Sequence, residues 1–161
     1  MKRIIMLMLI FCCPVVGAFP CLGADSSACE LREAVGRRDI ALIKTMLDLG
    51  HDVNAKCGHD TALMRAAFSN DAEIVKLLLD RKADPNIQST DHIGNTALMT
   101  SLHVGRIDFK RGLPVVKMLL DAGVDINIKN KNGKSAVQMA VSNQCAKEVR
   151  DLVASYAKGS Q

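Results

Sequence analysis

The sequence predicts an all-α solenoid of about four stacked helix-turn-helix units behind an N-terminal signal peptide. Two observations predict the stack. The stretch TALMRAA begins at Thr61, TALMTSL begins at Thr96, and a looser version, SAVQMAV, begins at Ser135. Amphipathic helix patterns that close on Asp-x-Asn end at Asn54, Asn86 and Asn127. One such helix pair cannot bury its apolar face alone, so neighbouring pairs are expected to stack.

The repeat defines one domain over residues 25–158, with units at about 28–56, 57–88, 89–128 and 129–155. Each unit is read as a first helix, a tight turn, a second helix and a loop. Thr61 and Thr96 stand where they can cap the first helices. The fourth unit has the polar outer face that a terminal repeat needs. The acidic residues at the repeated turn position, which indicate turn and capping chemistry, are Asp52, Asp84 and Asp125.

The composition predicts an aliphatic core and excludes the large positive charge that is typical of nucleic-acid-binding proteins. The chain is 48% hydrophobic but only 3% aromatic, with no Trp and one Tyr. Without Lys2 and Arg3, 19 basic residues face 17 acidic ones. So small an excess of positive charge does not indicate a nucleic-acid partner.

Residues 1–24 resemble a secretory signal peptide. Lys2 and Arg3 precede the apolar run IIMLMLIF, and the segment ends in Leu-Gly-Ala. Cleavage is expected after Ala24, with Ala18 as the second choice. A lipoprotein signal is disfavoured by Pro20 before Cys21, and an uncleaved membrane anchor is disfavoured by the Pro and Gly residues that break the run. We therefore expect a periplasmic or secreted protein without stable membrane insertion after cleavage, and membrane anchoring is the alternative.

The chain resembles the ankyrin-repeat family over about residues 28–155. The resemblance lies in the openings of the units, in the second-helix stretch VKLLLD and in the closures ADPN and GVDIN. Together with the N-terminal segment, this pattern resembles a small exported bacterial ankyrin-repeat protein. All three openings carry Ala where the family prefers Pro, and Met or Gln where it prefers His. Losing Pro at the first helical position removes some preorganisation, so modest stability is expected.

The resemblance implies a surface that binds another protein through loop tips and the exposed face of the first helices. Phe68, Ile93 and His103 are the expected anchors, since a few such residues carry most interface energy; for Phe68, packing between helices is the alternative. From the positions that vary in the family, those assigned to partner binding are Asp60, Phe68, Ser69, His92, Ile93, Asn95, His103, Val104, Lys131 and Asn132.

The third unit carries an insertion. Thr61 and Val75 are fourteen positions apart, whereas Thr96 and Val116 are twenty apart, which places the extra residues in HVGRIDFKRGLP. The sequence therefore predicts a loop whose apolar groups, flanked by bases, would suit an acidic protein partner. A tolerated surface insertion is the alternative, because long loops cost little stability. The loop residues assigned to partner binding are Arg106, Phe109, Lys110 and Arg111.

Three cysteines remain after signal removal. Cys29 aligns with the Thr position of the first unit, and Cys57 lies four positions before that of the second. Adjacent units would bring both to the same side of the stack, so either a disulfide or two separate thiols is possible. Cys145, in the turn of the last unit, is expected to be free.

The sequence contains none of the motifs G-x-S-x-G, H-E-x-x-H, P-loop or G-x-G-x-x-G. Cys57 and His59 are the only close Cys/His pair, and the second pair that a zinc site needs is absent from the sequence. We expect no enzyme activity, metal or cofactor, and a monomer when free. The expected function is a periplasmic binding module that neutralises a partner, as an immunity protein blocks a secreted toxin such as a lipase effector. The alternatives are a role in oxidative-stress defence and a secreted effector acting on a host protein.

Overall fold

The computed structural model describes residues 26–103, 109–142, 145 and 147–159. Residues 1–24, the predicted signal peptide, lie outside them. Within these ranges the elements are α1 (Ser26–Arg37), α2 (Ile40–Asp48), β1 (Lys56–Cys57), β2 (Asp60–Thr61), α3 (Ala62–Phe68), α4 (Ala72–Asp80), α5 (Ala97–Ser101), α6 (Phe109–Asp121), α7 (Ala136–Ser142) and α8 (Lys147–Gly159).

The helices form two layers. Helices α1, α3, α5 and α7 contact one another in sequence, and α4, α6 and α8 do the same behind them. Each first helix also packs against the second helix of its own unit. The predicted all-α solenoid of helix pairs is therefore confirmed, with a short antiparallel pairing of β1 and β2 added to it. Among the described helices, none has a stretch apolar and long enough to cross a bilayer.

The first helices begin at the predicted capping residues. The Thr61 hydroxyl accepts a hydrogen bond from the N–H of Met64, and the Thr96 hydroxyl accepts one from Met99. At the start of α7, the Ser135 hydroxyl accepts from the N–H of Gln138, whose side-chain oxygen accepts from the N–H of Ser135. These contacts satisfy N–H groups that have no partner inside the helix.

The core between the layers is aliphatic, as predicted. Within the described part of the chain, every buried hydrophobic residue is Ala, Val, Leu, Ile, Met or Cys. Ala66 and Ala67 are completely buried on α3, and Ala97 and Ala136 are nearly so on the next two first helices. Small side chains let helix backbones approach closely, which explains how short first helices can stack side by side.

The closing Asp-x-Asn has two roles. Within a unit, the Asp84 carboxylate accepts from the N–H of Asn86, and Asp52 and Asp125 do the same for the Asn two residues on. Between units, the Asn54 side-chain oxygen accepts from the N–H of Asp84 at 2.8 Å. The repeated acidic residues are therefore turn residues, as predicted.

The insertion of the third unit is partly helical, which corrects the sequence-based prediction of a loop. Helix α6 begins at Phe109, so Phe109, Lys110 and Arg111 belong to its first turn. By the repeat pattern the helix should begin near Leu113. Residues 109–112 add about one turn upstream of that point, and the helix continues through Pro114. Spacing alone cannot distinguish extra loop residues from an extra turn of helix.

Candidate protein-binding site

A pocket of about 220 Å³ lies between the second and third units, and we call it the α3–α5 cleft. Its walls come from β2, the end of α3, the tip that precedes α5, the end of α5 and the residues that follow it. The lining residues are Asp60, Phe68, Ser89, Asp91, Ile93, Asn95, Thr100 and His103.

The cleft brings together five of the residues assigned to partner binding from the sequence, namely Asp60, Phe68, Ile93, Asn95 and His103. Phe68 and Ile93 are partly buried and provide apolar walls. Asp60 adds a carboxylate, and His103 is an exposed side chain at the end of α5. These residues come from two consecutive units, so the cleft exists only because the units stack.

Asn95 lines the cleft, but most of its side chain is buried and its side-chain oxygen already has a hydrogen-bond partner. Asn95 is only 9% exposed. Its side-chain oxygen accepts a hydrogen bond at 2.9 Å from the amide of Asn130, and its N–H donates to the hydroxyl of Ser89. A buried amide needs such partners, and the bond from Asn130 connects the tips of the third and fourth units.

Asp91 organises the tip beside the cleft. One carboxylate oxygen accepts from the Ser89 hydroxyl and from the N–H groups of Ile93 and Gly94. Burial acts to raise the pKa of Asp91, but these hydrogen bonds and the neighbouring His92 outweigh it, so the pKa is lowered. Asp91 therefore carries its negative charge at the edge of the cleft at neutral pH.

The remaining tip residues lie outside the cleft. His92, Lys131 and Asn132 are exposed on the tips of the third and fourth units. Lys131 also connects these tips, since its N–H donates to the Ile93 carbonyl at 2.8 Å and its ammonium donates to the Asp91 carbonyl. Lys131 thus supports the wall that Ile93 forms.

The other assigned residues are not brought to the cleft. Ser69 follows α3 and lines a separate pocket together with Asp71 and Pro114. Val104 and Arg106 lie outside the described residues. The α3–α5 cleft therefore contains only part of the set of residues assigned from the sequence.

A second pocket, of about 460 Å³, lies between α1 and α3 and was not predicted from the sequence. We call it the α1–α3 groove. The sulfurs of Cys29 and Cys57 are bonded to each other at one side of it, so of the two alternatives for these cysteines the structure has the disulfide. The full lining is Cys29, Arg32, Glu33, Gly36, Arg37, Cys57 and Arg65.

The two pockets combine apolar and charged side chains in their linings. They offer an aromatic ring, an aliphatic side chain, carboxylates and guanidinium groups. Across the described ranges, no group of three or more His, Cys, Asp or Glu side chains lies close enough together to hold a metal ion.

Comparison with known families agrees with this architecture. A family described as ankyrin repeats (3 copies) matches residues 31–113, and one described as ankyrin repeats (many copies) matches residues 102–148. The chain belongs to the ankyrin-repeat family. Ankyrin repeats form protein–protein interaction modules and are generally non-enzymatic.

Curated ankyrin relatives are much longer than this chain. It is 36% identical over 81 residues to rat "Ankyrin repeat and SAM domain-containing protein 6", covering 50% of the chain and 8% of that protein. It is 30% identical over 130 residues to the Arabidopsis thaliana "E3 ubiquitin-protein ligase KEG", covering 71% of this chain and 8% of that protein. Fowlpox virus "Putative ankyrin repeat protein FPV034" is 31% identical over 122 residues, covering 76% of this chain and 26% of that protein.

Proposed function

We propose that this ankyrin protein is a non-enzymatic module, monomeric when free, that binds one partner protein through the α3–α5 cleft. The convergence of Phe68, Ile93, Asp60 and His103 from two stacked units supports the proposal. Interfaces generally combine a small apolar or aromatic centre with a polar rim, and the cleft has this arrangement. The exposed tips carrying His92, Lys131 and Asn132 extend the same surface.

We further propose that the mature protein begins at residue 25, acts in the periplasm or outside the cell, and neutralises its partner. The N-terminal pattern of two basic residues and an apolar run supports export. The Cys29–Cys57 disulfide also supports export, because such bonds persist in oxidising compartments. A secreted toxin is the class of partner that an exported inhibitor of this kind would meet.

Affinity capture tests the binding proposal. Tagged residues 25–161 are incubated with extract of the native cells, beside Ile93→Ala in the cleft and Lys76→Ala as a matched control. Lys76 is exposed on α4, in the other helix layer. We expect one protein to elute at near-equal stoichiometry with the wild type and the control, and to be lost with Ile93→Ala. Equal capture by all three would contradict binding through the cleft.

The neutralisation proposal needs a separate measurement. The captured protein is purified alone, and its activity or toxicity is followed as the ankyrin protein is added. We expect the activity to fall to a minimum at an equimolar ratio. Full activity in the saturated complex would show a binding module that does not inhibit.

A further inference from the structure

We propose that Arg65 is a preformed site for an aspartate or glutamate side chain of the partner protein. The proposal rests on the proposed binding function and names the chemistry that this surface selects. It concerns the α1–α3 groove, next to the α3–α5 cleft.

The guanidinium of Arg65 is held between two elements. A Cβ atom placed on Gly36 of α1 would lie 3.5 Å from both Nε and Nη2 of Arg65, so the group lies directly against the α1 backbone. On α3 itself, the Arg65 Cζ atom is 5.9 Å from the centre of the Phe68 ring. Contact with a helix surface and an aromatic ring restricts the side chain before any partner arrives.

Arg65 differs from the other two arginines of the groove in its charge balance. Arg37 pairs with Glu33 at 2.5 Å, and Arg32 lies 3.9 Å from Asp60. Within the described part of the chain, Arg65 has neither a carboxylate partner nor a hydrogen bond from its guanidinium. The groove lining therefore holds three guanidinium groups and one carboxylate, and the uncompensated charge is on Arg65.

The groove walls are fixed relative to each other. The Cys29–Cys57 disulfide joins α1 to β1, and β1 pairs with β2 directly before α3. On α3, the neighbours Met64 and Ala66 are buried in the core, which fixes the base of the Arg65 side chain. A planar guanidinium held in this way can donate two parallel hydrogen bonds to one carboxylate, so an acidic side chain is the occupant that complements it.

Phe68 connects this site with the proposed binding surface. Its ring contacts Arg65 and also lines the α3–α5 cleft. A partner segment could thus place an acidic residue on Arg65 and an apolar residue against Phe68 and Ile93. If one partner segment occupies the α1–α3 groove and the α3–α5 cleft together, Arg65 is part of the same interface as the cleft.

Titration with acidic peptide tests the site without the native partner. An acetylated, amidated octapeptide of glutamate is added to ¹⁵N-labelled protein, with octaglutamine as the neutral control, and the arginine Nε–Hε signals are followed. We expect a saturable shift at Arg65, a loss of about fivefold or more in affinity for Arg65→Gln and Arg65→Lys, and little change for Lys76→Gln. Equal weakening by Arg65→Gln and Lys76→Gln, or no saturable shift at Arg65, overturns the proposal.

Partner capture separates this proposal from the proposed function. If Arg65→Gln and Ile93→Ala each lose the partner and Lys76→Gln keeps it, the result supports the proposed binding function and the role of Arg65. Retention of the partner by Arg65→Gln and its loss with Ile93→Ala overturns the role of Arg65 and leaves the binding function standing. Absence of any stoichiometric partner counts against the binding function, and the peptide titration still decides whether Arg65 recognises a carboxylate.

Discussion

The side-chain oxygen of Asn86 accepts a hydrogen bond at 2.7 Å from the backbone N–H of Asp125, 39 residues further along the chain. Asn54 makes the equivalent bond to Asp84. Each contact starts in the closing turn of one unit and ends in the closing turn of the next. The closing Asn therefore sets the position of the neighbouring unit, while the Asp beside it stabilises its own turn.

Removing this link should destabilise the stack. We expect Asn86→Ala to lower the free energy of unfolding by about 1–2 kcal/mol, because the N–H of Asp125 loses its partner. Urea denaturation followed by circular dichroism measures the change. The matched control is Asn127→Ala, since Asn127 is exposed and its side chain has no such bond among the described residues. A loss of equal size in both variants would show that the link between units contributes nothing.

Lys82 occupies a backbone conformation that favours glycine. Its φ is +66°, and the equivalent residues of the first and third units are Gly50 at +87° and Gly123 at +80°. We expect Lys82→Gly to raise the free energy of unfolding by about 1 kcal/mol, because glycine adopts this conformation without strain. Thermal denaturation should show a higher Tm.

Gly123→Ala provides the opposite test of the same position. No atom lies within 4 Å of where its Cβ would be, so only backbone strain acts. A loss of about 1 kcal/mol is expected. Destabilisation by Lys82→Gly would mean that the lysine side chain matters more than the strain.

The Cys29–Cys57 disulfide should stabilise the first unit. The bond closes a loop of 28 residues, and loops of this size typically correspond to about 2–4 kcal/mol. We expect the double substitution Cys29→Ala, Cys57→Ala to lower the free energy of unfolding by that amount in chemical denaturation. Reductant should destabilise the wild type to the same level and leave the double variant unchanged. A wild type insensitive to reductant would argue that the bond adds no stability.

Asp91 should make stability depend on acidic pH. Its pKa is lowered in the folded protein, so its ionised form stabilises the fold above the unfolded pKa near 3.8, and this contribution disappears as pH falls through the folded pKa. At neutral pH, Asp91→Asn should be less stable than the wild type by about 1 kcal/mol through weaker hydrogen bonds. The difference should narrow below about pH 4, as denaturation at several pH values would show. A difference independent of pH would exclude a role for the charge.

Cys145 should react slowly with thiol reagents in the native protein. The residue is free, 6% exposed, and its Sγ lies 3.8 Å from the Leu102 carbonyl. Burial raises the pKa of this thiol and outweighs the attraction of Arg150, so the reactive thiolate is scarce. Without reductant, unfolding residues 25–161 in denaturant should expose one rapidly reacting thiol, measured by a chromogenic disulfide. Rapid reaction of the folded protein would contradict the burial.

The sequence by itself determined the features that depend on local spacing. The recurrence of the Thr61 and Thr96 openings identified the first helices and their caps, because a cap needs only a hydroxyl three residues before its donor. The repeated Asp-x-Asn predicted the closing turns, because the Asp carboxylate and the N–H that donates to it are only two residues apart. The low aromatic content was enough to predict an aliphatic core.

Only the tertiary structure decided which side chains the site contains. Asn95 is buried and accepts a hydrogen bond from Asn130, 35 residues further along the chain in the next unit. Arg65 lines the α1–α3 groove and lies against Gly36 of the preceding unit, a contact that no pattern within one unit reveals. Contacts between units depend on how closely neighbouring helices pack and where each tip projects. The repeat pattern in the sequence records neither the separation of the helices nor the direction of the tips. Both are determined only when the units stack.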